Sequence, residues 1–341
     1  MKKTVANIIL GIIISGCFFI LHIHENSGII HLMKIIISML IVSAIIGFIM
    51  KKRKIDMGYD IFERTITWWW MSCVFFLAVS THRIITFFFM ALLCFLALKE
   101  YFDLNAEKKD IPRILCYMSI FSCAFLAAIE WYMLFIIFIP VYIFLLIPVY
   151  FALQNRIDSS LRDIGMVTAG IMFFVYNLGH SMFMINMGPA ILLYCFFITE
   201  ARDIISYFSG KTFHMLEKRS YNNKIIKLLN IKIADRVSPK KTWATAILTM
   251  LLTGFVSLWL SPHLPEFEKG SMSGTVAFVT GLIIGMLGAF GDLVFSMIKR
   301  DIGIKDSGDF LPGHGGIIDR VDGLVFTVPV VFHIIYWLFY Y

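Results

Sequence analysis

Residues 114–152 read ILCYMSIFSCAFLAAIEWYMLFIIFIPVYIFLLIPVYFA, and Glu130 is the only charged side chain among them. Two apolar lengths meet at that glutamate, each close to the roughly 20 residues that carry an α-helix across a bilayer core. Backbone amides find no water there, so an apolar run of this length reads as helix. The pattern recurs along the chain. Runs at 5–23, 30–50, 65–81, 84–98, 114–130, 131–152, 164–180, 184–200, 243–260, 272–291 and 323–340 predict an all-α, polytopic integral membrane protein. About eleven transmembrane helices are expected, or nine where adjoining runs form kinked elements.

Composition points the same way. Of 341 residues, 59% are hydrophobic and 16% charged, with a mean hydropathy of +0.81. Once the spans are subtracted, only about 120 positions remain for loops, which excludes a large soluble domain. The net charge of +7 is explained by placement: every Lys and Arg except Lys34, Arg83 and Lys269 falls in alternate connections. By the positive-inside rule these connections and the amino terminus are cytoplasmic, in a bacterial-type cytoplasmic membrane. Basic surplus of this kind calls for no nucleic-acid partner. All six cysteines lie in apolar runs without a CxxC pair, so neither disulfides nor zinc are expected. His22, His24 and His31 lack ligand spacing. The opening run is too long for a signal-peptide core and reads as a retained span.

The polar residues divide the chain. Residues 1–199 form a membrane-embedded helical region with short loops, in contact with membrane lipids or with a second copy in a homo-oligomer. Residues 200–341 hold the segments with chemistry. From Ser296 to Asp322 the sequence reads SMIKRDIGIKDSGDFLPGHGGIIDRVD, preceded by Gly291 and Asp292. If the tenth span continues as helix, Asp292, Ser296, Lys299 and Arg300 fall within about 100° of one another. Such a face suits a metal at its membrane end and anionic oxygens beyond it. Gly303 and Ser307-Gly308 break the helix, and Pro312 to Gly316 turns the chain back. The turn brings Asp319, Arg320 and Asp322 towards Asp292, where remote carboxylates can share cations, while glycine N–H groups and the new helix start can approach phosphate. A second element is SPKKTW, Ser238 to Trp243. Ser238 is expected as an N-cap and Pro239 as the first helical residue, placing Lys240, Lys241 and Thr242 in an anion-attracting first turn.

Taken together, these residues resemble the signature of the phosphatidate cytidylyltransferases, the CDP-diacylglycerol synthases. Ser296, Lys299-Arg300, Lys305-Asp306, Pro312 to Gly316, Asp319-Arg320 and Asp322 match in order and spacing, and Ser238, Pro239, Lys241 and Thr242 match an upstream SPxKT element. Asp203 matches the acidic position after the preceding core span. The chain departs from the pattern in three places: Ala244-Thr245 stands where Glu-Gly is common, Arg202 replaces a polar residue, and the stretch His214 to Lys232 is inserted.

The resemblance implies transfer of cytidylyl from CTP to phosphatidic acid, giving CDP-diacylglycerol and pyrophosphate for phospholipid biosynthesis. It implies Mg2+ on Asp292 and Asp319, alone or with a second cation, with Ser296 as an added oxygen and Lys299 beside them. Lys241, Arg300, Lys305 and Arg320 would bind phosphate oxygens, His314 would donate to pyrophosphate or a metal-bound water, and Ser238, Thr242 and Asp203 would complete the substrate site. Asp306 and Asp322 would support them. Two rivals remain at this level: a CTP-dependent enzyme acting on another lipid phosphate or a polyprenol, and an anion or nucleotide transporter. A transporter would favour broken helices at mid-membrane and internal repeats, whereas these charges gather at one face.

Overall fold

The computed structural model describes residues 27–53, 69, 71–104, 111–155, 157–219, 229–308 and 315–341. Ten α-helices run through these residues: α1 Ser27–Lys52, α2 Met71–Ser80, α3 Arg83–Leu104, α4 Arg113–Ala128, α5 Tyr132–Leu153 and α6 Ser160–Met187, α7 Pro189–Arg219, α8 Trp243–Leu260, α9 Gly274–Ile302 and α10 Ile318–Phe339. Six of them, α3, α5, α6, α8, α9 and α10, are long and apolar enough to cross a membrane. The chain is a polytopic integral membrane protein, but the expected eleven spans are corrected to these six among the described residues.

The reason lies in the helices the apolar runs form. Helix α4 has 16 residues, about 24 Å at 1.5 Å per residue, short of a full crossing, and the apolar part of α1 is limited to Ile30–Ile46. Helix α7 is long, but from its twelfth residue onward it carries Glu200, Arg202, Asp203, Lys211 and Glu217. The run at 5–23 lies outside the described residues. At Glu130 the backbone adopts φ +59, so the stretch 114–152 is two helices and not one. Arg83 ties that junction together, donating to Glu130 Oε1 at 2.9 Å and Asn186 Oδ1 at 2.6 Å. The five described cysteines, Cys73, Cys94, Cys116, Cys123 and Cys195, are buried.

The last four helices are packed by small residues. A Cβ added to Gly281 would lie 2.5 Å from Ser257 Cβ, and one on Gly285 would lie 2.7 Å from Met250 Cα, so α8 and α9 approach backbone to backbone as small residues allow in membranes. Buried hydroxyls join the remaining faces: Tyr194 to Ser257 at 2.5 Å and Thr199 to Thr327 at 3.0 Å. Against α10 the approach is closest at Gly291, where a side chain would overlap the Asp322 carbonyl. These contacts gather the polar part of α7, the segment before α8, the end of α9 and the start of α10 at one end of the bundle.

Candidate active site

At that end two carboxylate-centred networks form. In the first, the fully buried Arg202 guanidinium is paired with Asp203 and reaches Asp292 Oδ2 at 2.9 Å. Lys241 Nζ donates to the same Asp292 oxygen at 2.7 Å. Asp322 and Asp203 are near enough to Asp292 to feel its charge, and Glu200 is near enough to feel Asp203, Asp322, Arg202 and Arg320. Asp203 and Asp292 thus pair directly with Arg202 and Lys241, while Glu200, Asp322 and Arg320 lie within electrostatic reach of them without converging on one point. Gly288 makes room for the guanidinium, since a Cβ there would stand 3.0 Å from Arg202 Nε.

The second network centres on Asp319. Its Oδ1 accepts from Lys299 Nζ at 2.5 Å, and its Oδ2 accepts from Ser307 N at 2.9 Å, Ser307 Oγ at 3.0 Å and Gly316 N at 3.1 Å. Asp319 thus ties α9 to both ends of the segment between α9 and α10. Gly315 has φ +78, and a Cβ on it would overlap Asp319 Oδ2; only glycine meets both conditions. At Gly316 a Cβ would overlap Glu100 Oε1 and lie 2.5 Å from Ser307 Oγ. Gly316→Ala is therefore expected to disrupt the network, lowering turnover on the order of 10²-fold; steady-state rates on the detergent-purified variant check this, and a wild-type rate contradicts it.

Local sequence explains how the pieces are placed. Helix α9 continues through Asp292, Ser296, Lys299 and Arg300 and ends at Gly303, in the left-handed region at φ +81, a glycine-favoured C-cap. The segment before α8 differs from expectation. Its N-cap is Thr242, not Ser238: Thr242 accepts from Thr245 N, and Thr245 returns the bond, forming a capping box. Ser238 instead accepts from Lys241 N at 3.2 Å within a turn. Lys241 therefore precedes the helix, free to reach Asp292. The departure Ala244-Thr245 supplies the capping partner.

The helix start expected to receive phosphate is also occupied by protein. The backbone N–H groups of Ile317 and Ile318 donate to Glu100 of α3, at 2.8 and 3.2 Å, and those of Ser307 and Gly316 are taken by Asp319. Anionic oxygens are left the cationic side chains. Arg300 and Lys305 are exposed and Ser296 half-buried; Arg300 donates to the Ile304 carbonyl at 3.4 Å. His314, with Pro312 and Gly313, lies outside the described residues. Asp292 and Asp319 sit in separate networks, joined through the close contact of α9 with the second turn of α10 at Asp322 and Gly323.

Among the described residues no three His, Cys, Asp or Glu side chains converge as a ready-made metal cage. The donor set nevertheless fits Mg2+, a hard cation usually held by one or two carboxylates with water and substrate phosphates completing the shell. Glu100, Glu200, Ser307 and Thr245 have no motif to mark them in sequence. Arg202 was visible only as a departure beside Asp203.

Comparison with known proteins adds a family to this geometry. The uncharacterized protein YnbB of Escherichia coli (strain K12) is 33% identical over 290 residues, 83% of this chain and 90% of that protein. The phosphatidate cytidylyltransferase of Rickettsia felis is 35% identical over 147 residues, 42% of this chain and 57% of that protein. That of Haemophilus influenzae is 35% identical over 145 residues, 42% of this chain and 44% of that protein. The chain thus matches about half the length of these two enzymes. A sequence profile described as the cytidylyltransferase family matches residues 62–338, and to that family this chain belongs.

Proposed function

We propose that the protein transfers the cytidylyl group of CTP to a membrane lipid phosphate, with phosphatidic acid as the acceptor, releasing pyrophosphate. The observation that carries this reading is the bond from Lys241 Nζ to Asp292 Oδ2 at 2.7 Å. It joins the SPKKT turn to the Asp292–Arg320 segment, two polar motifs that a bundle of apolar helices has no packing reason to unite. The sequence likeness to phosphatidate cytidylyltransferases over part of the chain supports the same acceptor.

In the proposed reaction an oxygen of the lipid phosphate bonds to the α-phosphorus of CTP while the bridge to the β-phosphorus breaks. A phosphate monoester has a second pKa near about 6, so the attacking oxygen is anionic at neutral pH and needs no protein base. The work left is to hold two polyanions in line, by positioning and charge neutralisation. Lys241, Lys299 and Arg320 face the networks, and exposed Arg300 and Lys305 extend the positive surface; the arginines make bidentate contacts and the lysines act as point charges. Asp292 and Asp319 would hold Mg2+, alone or with a second cation, which when bound withdraws charge from phosphate oxygens. Ser296 lies one helical turn from Asp292, positioned to add an oxygen. Residues 200–341 are the catalytic region in this reading, framed by residues 1–199, with the site at the cytoplasmic face where CTP is available.

Purified protein given Mg2+, CTP labelled at the α-phosphate and separate lipid phosphates tests the acceptor. Phosphatidic acid is expected to take the label at least about tenfold faster than a polyprenyl phosphate; the reverse order overturns the choice of acceptor.

A further inference from the structure

We propose that Glu100, from the first half of the chain, is a positioning residue for this transfer: its carboxylate occupies the amino end of α10 and so fixes Asp319 and keeps substrate phosphate off that helix end. The inference rests on the proposed reaction.

Helix α10 begins without a cap of its own. Its N-cap residue is Ile317, which makes no side-chain cap bond and belongs to a type that cannot make one. The exposed N–H groups and the partial positive charge of a helix start attract an anion. Glu100 supplies it from 217 positions away, Oε2 accepting from Ile317 N at 2.8 Å and Oε1 from Ile318 N at 3.2 Å. Gly316 lies against the same carboxylate. On the other side of the loop, a Cβ on Gly308 would meet Glu100 Cδ at 3.6 Å and Gly316 Cα at 3.6 Å. Both ends of the segment between α9 and α10 thus close on Glu100.

Asp319 is the next residue after Ile318, and it takes two further backbone N–H groups, those of Ser307 and Gly316, from the two sides of the segment between α9 and α10. The two carboxylates divide four backbone donors between them. With Glu100 in place, none of these four donors is left for a ligand, and phosphate is directed to Lys241, Lys299, Arg300, Lys305 and Arg320. Without Glu100, the amides of Ile317 and Ile318 become an anion site beside Asp319, in competition with the productive one.

Loss of the carboxylate should therefore lower turnover without weakening nucleotide binding, and should tighten inhibition by phosphate, which a mere loss of folded protein does not do. Glu100→Ala is expected to reduce kcat on the order of 10²-fold, with KM for CTP unchanged or lower. Inorganic phosphate should inhibit it at least about threefold more tightly than wild type. Glu100→Gln keeps the shape and one acceptor oxygen, and is expected to fall between the two in kcat, with faster amide exchange at Ile317 and Ile318. Wild-type kcat and phosphate inhibition in folded Glu100→Gln overturn the proposal, as does a rise in KM with kcat unchanged. If Glu100→Ala does not fold, Glu100→Gln decides alone. Wild-type protein that labels no lipid phosphate overturns the reaction instead; amide exchange in Glu100→Gln then still decides whether Glu100 holds the helix end.

Discussion

Asp292→Asn protein is expected to remain folded in detergent and to lose CTP-dependent lipid labelling by at least about 10³-fold. Asparagine fills the same volume, so the close packing of Gly291 on α10 is undisturbed. What changes is charge. Asp292 Oδ2 accepts from both Arg202 and Lys241, and an amide offers neither the charge that balances them nor the hard anionic oxygen that suits Mg2+. Asp319→Asn is expected to act similarly, with the added loss of the bond that aims Lys299. Label transfer with either variant, normalised to monodisperse protein, is the check; near-normal turnover in both removes the case for a metal on these residues.

Arg202→Met should destabilise the protein most. The guanidinium is 1% exposed and bridges Asp203 and Asp292, so a methionine of similar length leaves two carboxylates short of a partner. Breaking a buried ion pair from one side costs about 3–5 kcal/mol. The expected result is early thermal unfolding in detergent with little active protein recovered. Arg202→Lys keeps the charge but cannot bridge two carboxylates in a planar fork, so it should recover part of the stability. Gly288→Ala approaches the same group from α9 and should mimic a weaker form of the defect. Unchanged unfolding in Arg202→Met would mean that the two acids do not depend on this cation.

The sequence made the helical, membrane-spanning character plain because apolar length alone encodes it. The face Asp292, Ser296, Lys299 and Arg300 was legible for a related reason: helical periodicity is local, and Gly303 ends it where a glycine C-cap should. The number of spans was not legible, since an apolar run does not announce whether it forms a 16-residue helix such as α4 or a full crossing. The start of α8 was misplaced because Ser-Pro and Thr-x-x-Thr are both acceptable caps, and only the fold selects Thr242. Glu100 was hidden more deeply. Beside Lys99 at the end of a helix it looks like any interfacial charge, and its partners are backbone amides 217 and 218 positions away, which carry no side-chain signal.

The most direct measurement uses two preparations of CTP, labelled at the α- or the γ-phosphate, with purified protein, Mg2+ and phosphatidic acid in mixed micelles. Cytidylyl transfer predicts α-label in the lipid and γ-label in released pyrophosphate, in equal amounts. Lipid carrying the γ-label, or both labels remaining in CTP while sealed vesicles accumulate the nucleotide, would contradict it.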